Sequence, residues 1–256
     1  MLPKSKEIGS HDRVAAGHDG RDTPPVRGQV RRMVVKGRPE SGYKKGDETR
    51  QRLLEVALAA FGAAPFSAVT TRQITTAAGV SLPSLQYYFG DKQGLYRACA
   101  EAIVDRFRAN ASAAAGDARK ALGGECSPEM ARAHLKTVLG AIAGFLIGTK
   151  ESARWAQFVA RELREAGPAF EILYERLWRP GVEVTSRLIA RVRGVPDNDP
   201  AARVEALLLI GSVLAFQSGR RITLRTMQWS AIGPEELELI RAALDAQIDA
   251  IGRNPG

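Results

Sequence analysis

Apolar residues recur at helical spacing along most of the chain. Between residues 49 and 61 they predict an amphipathic helix of about four turns, and from about residue 92 to 115 an apolar stripe steps at i+4 through a longer helix. Beyond the Gly-rich break at residues 116–127, the spacing is helical throughout and lacks the alternation of apolar and polar residues that half-buried strands show. The pattern therefore predicts an all-α protein.

Five helices are predicted after that break, at about residues 128–149, 151–166, 169–193, 201–219 and 234–251. The fourth is so apolar that it needs burial on nearly all sides, which a monomer of this size rarely provides. Together with the last, amphipathic helix, it would form a four-helix bundle with the same pair from a second chain. We therefore expect a homodimer whose interface includes Leu207, Ile210, Val213, Leu214, Leu237, Ile240, Leu244 and Ile248.

Two further short helices are predicted on either side of a glycine turn, ahead of residue 90. Thr70 and Gln73 have the spacing of a capping box at the start of the first helix. Gly79 lies where that helix would end in a left-handed residue, and Ser81 can cap the second helix. This arrangement is typical of a helix–turn–helix motif, whose second helix enters the major groove of DNA. Other small helical proteins also contain such turns, so the flanking sequence has to decide.

The flanks do supply that context. Residues 49–96 resemble the DNA-binding domain of the TetR family of bacterial transcriptional regulators through the stretches TRQRLLEVALAAF, VTTRQITTAAGVS and YYFGDKQGLY, in that order. Two positions depart from the family pattern: Pro65 stands where glycine is usual, and Gln86 where a tyrosine is common. An amide can pair with adenine N6 and N7 in a way that a phenol cannot, so we expect Gln86 to alter sequence preference.

The C-terminal half carries a second resemblance. The stretches RWAQFVAREL (154–163) and LLLIGSVLAFQSGR (207–220) are similar to the CecR-like branch of the TetR family, whose C-terminal domain is an all-α unit for dimerisation and ligand binding. The resemblance implies a repressor or dual regulator of efflux or drug-sensitivity functions. The target genes and the ligand do not follow from a shared fold.

Together these observations divide the chain into a disordered basic tail (1–46), a three-helix helix–turn–helix DNA-binding domain (47–92) and an all-α effector-binding and dimerisation domain (93–256). The protein is expected to bind a palindromic double-stranded DNA operator. Residues that match family contact positions, or that face outward in the predicted helices, are expected to touch the DNA, with Lys92 on a phosphate at a helix N-terminus. They are Thr71, Arg72, Ser81, Leu82, Ser84, Gln86, Tyr87, Tyr88 and Lys92.

A small-molecule effector site is predicted from aromatic and ionic residues that are mixed along the C-terminal helices. Trp155, Phe158 and Glu162 are spaced so that one helical face could present two rings and a carboxylate to an amphipathic or aromatic ligand. The alternative is that the aromatic residues are simply core and the charged ones are solvated. The full set of candidates is Phe107, His134, Trp155, Phe158, Arg161, Glu162, Tyr174 and Trp178.

Charge supports a polyanionic partner without identifying it. The 256-residue chain has a formal net charge of +9, and eleven basic against five acidic residues lie in residues 1–46. That tail has almost no apolar periodicity, so it cannot bury enough surface to order itself. It is either an arm that adds phosphate contacts or a solvated extension without a role, and translation from Met33 would remove most of it.

Other classes of protein fit less well. Of three histidines only His134 lies in a predicted helix, and the common nucleophile, zinc and dinucleotide motifs are missing, so we expect no enzyme, no cofactor and no metal site. Two cysteines are too few for a disulfide framework, and no apolar run approaches the roughly 18 residues of a membrane span. A cytoplasmic protein without a membrane partner is expected. A sequence-independent binder that uses the basic tail remains the rival, and it would lose affinity everywhere at about 0.15 M salt.

Overall fold

The computed structural model describes residues 40–148 and 152–253, and every regular element in those ranges is helical. The predicted all-α class is therefore confirmed. A single 3₁₀ turn (Phe66–Ala68) follows the first helix, and a π-helical turn (Tyr174–Trp178) joins α7 to α8. The helices are α1 (Glu40–Ala63), α2 (Thr71–Ala78), α3 (Leu82–Phe89), α4 (Lys92–Leu122), α5 (Pro128–Ile147), α6 (Ser152–Glu165), α7 (Phe170–Leu173), α8 (Arg179–Arg193), α9 (Pro200–Ser218), α10 (Arg220–Met227) and α11 (Pro234–Ala250).

The helices differ from the prediction at several places. Helix α1 begins at Glu40, so residues 40–46, which the sequence analysis placed in the tail, are helical, while residues 1–39 lie outside the described part. Helix α4 passes through the expected break to Leu122, because Ala118 and Leu122 are buried and their contacts offset the cost of a helical glycine. Helix α10 was not predicted at all.

The first three helices and the start of α4 enclose a small core. Leu53, Phe61, Ile74, Leu85 and Leu95 are fully buried there, so each of the four helices contributes at least one side chain. The 3₁₀ turn adds Phe66, whose ring lies 4.9 Å from that of Tyr96 on α4. The long helix α4 therefore belongs to this core at its N-terminal end.

The remaining helices pack around α5. It lies against α4, α8, α9 and α11, and Leu135, Leu139 and Ile147 are fully buried along it. Helix α6 contacts α5 and α9 and also packs against α1, where Arg161 donates a hydrogen bond from Nη2 to the carbonyl oxygen of Gly62 at 3.2 Å. The C-terminal helices thus contact the N-terminal core through both α4 and α6.

Helices α5 and α9 are long and apolar enough to cross a membrane by length and composition alone, although no such run was expected from the sequence. A core helix of a soluble protein passes the same test. Both helices pack against several others in this fold, which accounts for the apolar side chains that they bury, while α9 also leaves Val204, Leu207 and Leu208 exposed.

Candidate nucleic-acid interface and ligand cavity

The turn between α2 and α3 is built as the sequence predicts. The Thr70 backbone N–H donates to Oε1 of Gln73 (2.8 Å), and the Gln73 N–H donates back to the Thr70 hydroxyl oxygen (3.2 Å), which completes the capping box. Gly79 has φ 64°, a left-handed conformation in which any side chain would be strained. The helix–turn–helix geometry is therefore fixed by local hydrogen bonds and one glycine.

Helix α3 is held at its start and along its buried side. The Ser81 hydroxyl accepts a hydrogen bond from the Ser84 N–H (3.3 Å), and the two hydroxyls lie 2.8 Å apart. Leu85 is fully buried and anchors the helix to the core. Because the Ser84 hydroxyl is engaged with the cap and Ser84 is half-buried, Ser84 is a weaker candidate for base contact than its exposed neighbours.

The outer face of α3 is open. Tyr87 is 83% exposed, Leu82 is 43% exposed, and Gln86 is also exposed, as is Arg72 on α2. Tyr88 is half-buried, with its ring edge-on to Tyr87 at 5.0 Å. This face presents an amide, a phenol and an apolar side chain, which are the groups that read base edges in the major groove.

Cations flank this face. Lys92 lies at the N-terminus of α4, where Asp91 accepts a hydrogen bond from the Gly94 N–H at 2.7 Å. The Lys92 ammonium lies 4.3 Å from the centre of the Phe66 ring, so a phosphate contact would exchange that cation–π contact for an ion pair. Arg50 on α1 also lies beside α3, with its guanidinium 5.5 Å from the Phe89 ring. Arg50 was not among the residues predicted from the sequence to contact DNA.

An apolar cavity of about 40 Å³ lies between α4, α5, α6, the π-helical turn, α8 and α9. Three of the predicted effector residues, Phe107, Trp155 and Trp178, line it. Trp155 stacks on Phe145 at 4.3 Å, and Phe107 meets the same ring edge-on at 5.1 Å. We call this space the inner cavity.

A larger cleft of about 320 Å³ adjoins the inner cavity. The two spaces share Phe107, Ile142, Leu177 and Gly181 in their walls. The cleft is also lined by three arginines that the sequence analysis missed: Arg108, Arg119 and Arg176. Arg108, Ser112, Ala115 and Arg119 follow the i, i+4, i+7, i+11 spacing of one helical face, which is the signal that could have indicated them. We call this space the outer cleft.

Helix α6 does not present Trp155, Phe158 and Glu162 to a common ligand site, as their spacing had predicted. Phe158 is fully buried with its ring 4.8 Å from that of Tyr96, on the side of the N-terminal core. Glu162 is also buried there, and its carboxylate accepts hydrogen bonds from the Tyr96 hydroxyl and from the Ala169 N–H (2.9 Å). Trp155 lines the inner cavity with Val159 instead. Residues three apart on a helix point in different directions by about 60°, enough here to separate two environments.

The other predicted effector residues also lie outside both spaces. Arg161 is bonded to Gly62 and lies 3.6 Å from the Glu165 carboxylate. Tyr174 is 41% exposed and stacks on Phe170 at 5.8 Å. His134 is half-buried on α5 and lines neither the inner cavity nor the outer cleft.

The buried phenol of Tyr96 and the buried thiol of Cys99, both on α4, hold their protons strongly. Burial raises the pKa of the Tyr96 phenol far above its usual range, and the hydrogen bond to Glu162 adds to that rise. Burial likewise raises the pKa of the Cys99 thiol, so this cysteine is not a reactive thiolate. Within residues 40–148 and 152–253, no three His, Cys, Asp or Glu side chains come together as metal ligands.

The expected dimer residues are mostly inside the protomer. Six of them are buried: Ile210, Val213, Leu237, Ile240, Leu244 and Ile248. Leu214 is half-buried, and only Leu207 is exposed, at 51%. The large apolar residues that α9 leaves exposed are Val204, Leu207 and Leu208, which form a strip that we call the α9 face. Because α9 is apolar all round, its sequence could not show which side packs within the chain.

Comparison with known proteins decides the family. Residues 53–99 match the family of bacterial regulatory proteins named for TetR, and residues 131–253 match the C-terminal domain of the HTH-type transcriptional dual regulator CecR. The chain is 32% identical over 213 residues to CecR of Shigella flexneri, covering 81% of this chain and 92% of that protein. The chain belongs to the TetR family.

Solved structures of TetR-family and related regulators share the fold. A transcriptional regulator from Rhodococcus sp. Rha1 has a TM-score of 0.53 at 21% identity, covering 79% of this chain and 95% of its own. The regulator AibR, solved with isovaleryl coenzyme A and operator DNA, also has a TM-score of 0.53 at 16% identity, covering 78% and 97%. The fatty acid degradation regulator FadR from Bacillus halodurans has a TM-score of 0.52 at 14% identity, covering 81% of this chain and 96% of its own. As a TetR-family member, the protein is a DNA-binding, ligand-responsive transcriptional regulator and not an enzyme.

Proposed function

We propose that this chain is a homodimeric repressor that binds a palindromic operator and leaves it when a small amphipathic effector occupies the C-terminal domain. The observation that carries the proposal is the open face of α3, where Leu82, Gln86 and Tyr87 stand in solvent beside a rigid capped turn. The protein would work in the bacterial cytoplasm, on double-stranded DNA.

The contacts divide into base readout and phosphate anchoring. Gln86 and Tyr87 would read base edges, with Leu82 offering an apolar contact to a thymine methyl group. Arg72, Thr71, Ser81 and Lys92 would bind phosphates, because they lie at the rim of α3 or at helix N-termini.

Helix α4 supports a coupling between ligand and DNA. Leu95, Tyr96 and Cys99 are buried at its N-terminal end, close to α3, while Ile103 and Phe107 line the inner cavity two to three turns further on. A ligand that moves α4 at Phe107 would therefore move the helix that carries Lys92. Such a ligand shifts the equilibrium only by its difference in affinity for the two states, typically about 1–3 kcal/mol.

The inner cavity is small for an effector. Ligand sites usually have volumes of roughly 300–1,000 Å³, a range that the outer cleft reaches and the inner cavity alone does not. AibR, which shares this fold, was solved with isovaleryl coenzyme A and operator DNA, so a chain of this fold can bind both a small molecule and DNA.

The α9 face supports the homodimer. Val204, Leu207 and Leu208 are each more than half exposed, whereas Ala206, Leu209, Ile210 and Val213 of the same helix are buried. Pairing this face with its symmetry mate would place two helix–turn–helix units on one duplex, with half-sites about 34–36 Å apart or modestly more.

Footprinting tests the function directly. Purified protein should protect a discrete, two-fold symmetric segment of the DNA upstream of its own gene at about 0.15 M salt. Protection without sequence preference would instead favour a purely electrostatic binder. Because the related CecR is described as a dual regulator, transcription from the protected promoter should be measured with and without protein, and a rise would contradict the repressor role.

A further inference from the structure

The outer cleft carries more charge than a site for a neutral drug needs. Arg108, Arg119 and Arg176 all line it, and none of the described residues in its wall is acidic. Within the described part of the chain, Arg108 and Arg119 have no acidic side chain within ion-pair distance, while Arg176 is held by Glu101 and by Asp105 at 3.7 Å. Two of the three guanidinium groups in the wall therefore carry a charge that no described acidic side chain neutralises.

The spacing of these arginines favours an extended anion. Arg108 and Arg119 lie about three turns apart on α4, roughly 16 Å along the helix axis. A single carboxylate could reach only one of them. Ala111, Ser112 and Ala115 lie between the two in the wall, and their small side chains leave the 320 Å³ of the cleft open.

The inner cavity indicates the size and the apolar character of the other end of the ligand. Its 40 Å³ correspond to roughly three water-sized spheres, so it admits a tail of a few carbon atoms without rearrangement. Its walls are aromatic and aliphatic. Trp178 lines it, and the buried indole N–H of Trp178 has no hydrogen-bond partner among the described residues.

We propose that the two adjoining spaces bind an amphipathic anion, with a short apolar tail in the inner cavity and a large polyanionic head in the outer cleft. This inference rests on the proposed function, since it names the chemistry of the effector. Guanidinium groups bind phosphate and carboxylate oxygens with two parallel hydrogen bonds, which gives the head its affinity and orientation. The tail, by filling the space beside Phe107, is the part that acts on α4.

Calorimetry on the full chain without DNA tests the ligand class separately from any release. The probes are butyryl coenzyme A, coenzyme A alone, butyrate and ethyl butyrate. Butyryl coenzyme A should bind most tightly, and each of the other three probes should bind at least about tenfold more weakly. The affinity for butyryl coenzyme A should fall as the salt concentration rises. If ethyl butyrate or butyrate bound as tightly as butyryl coenzyme A, the polyanionic head would be overturned. If coenzyme A alone bound as tightly, the site for the apolar tail would be overturned. If butyryl coenzyme A did not bind, both would be overturned.

A charge-matched pair of variants locates the site. The double variant R108A/R119A should bind butyryl coenzyme A about tenfold or more weakly, while R106A/K120A, which also removes two cations from α4 but none from the cleft, should bind as the parent does. Equal loss in both variants would overturn the assignment to the cleft. Tight binding that leaves operator DNA bound would support this ligand class and contradict the proposed release mechanism.

Discussion

The hydroxyl of Tyr96 on α4 donates a hydrogen bond to the buried carboxylate of Glu162 on α6. The second carboxylate oxygen accepts a hydrogen bond from the Ala169 N–H in the link between α6 and α7, so Glu162 connects α4, α6 and that link. Phe158 packs on the Tyr96 ring one turn earlier, and Arg161 bonds to Gly62 at the end of α1. One face of α6 therefore fastens the ligand-binding half to the N-terminal core, while Trp155 on another face lines the inner cavity.

Replacing Tyr96 by phenylalanine should lower the free energy of unfolding by about 1–3 kcal/mol. The change leaves one oxygen of a buried carboxylate without its donor while keeping the ring contacts. Urea unfolding measures it. Tyr87→Phe, at an 83% exposed position, is the matched control and should change stability by less than about 0.5 kcal/mol. Equal stability of Tyr96→Phe and the parent would show that the hydrogen bond contributes nothing.

Stability should fall in alkaline solution. The folded-state pKa values of Tyr96 and Cys99 are raised above their unfolded values, so the folded chain keeps protons that the unfolded chain releases. Their contribution is complete below the unfolded pKa values, about 8.5 for cysteine and 10 for tyrosine, and is lost progressively above them. Unfolding measured from pH 7 to 11 should show the decline, with a shallower slope above pH 10 in Tyr96→Phe. An unchanged slope in that variant would contradict the assignment.

The parts that local signals determine could be predicted from the sequence. The Thr70 capping box and the left-handed Gly79 depend on neighbouring residues only, and both form as expected. The direction of a buried face depends on the rest of the fold, so Phe158 and Trp155 could not be separated by spacing. For the same reason, the sequence of α9 did not show which side of the helix packs within the chain. The arginines of the outer cleft were missed because charged residues on a helix are usually solvated.

Filling the junction between the two cavities should block the effector without unfolding the protein. Gly181 lines both spaces, and an added Cβ there would meet no atom within 4 Å. Gly181→Leu should therefore keep operator affinity and lose the response to ligand, measured by fluorescence anisotropy on labelled DNA. Gly116→Leu, on α4 and equally open, is the control. A full ligand response in Gly181→Leu would place the effector elsewhere.

A charge on the α9 face should separate the protomers. Leu208 is 68% exposed in one chain, so Leu208→Arg costs the monomer little but would bury an unpaired cation in a dimer. Light scattering should show the parent as a dimer and Leu208→Arg as a folded monomer with much weaker operator binding. Met130→Arg, at a 46% exposed position on α5, should remain dimeric. Retention of the dimer by Leu208→Arg would mean that another surface pairs.

The central claim is that the exposed face of α3 reads DNA sequence, and competition binding on the footprinted operator and a scrambled duplex at about 0.15 M salt tests it most directly. The parent should prefer the operator by about 10³-fold or more. Gln86→Ala should lose about 1–3 kcal/mol on the operator and nothing on the scrambled duplex, whereas Arg72→Ala should weaken both alike. Equal affinity of the parent for both duplexes, or an equal loss on both in Gln86→Ala, would contradict the account.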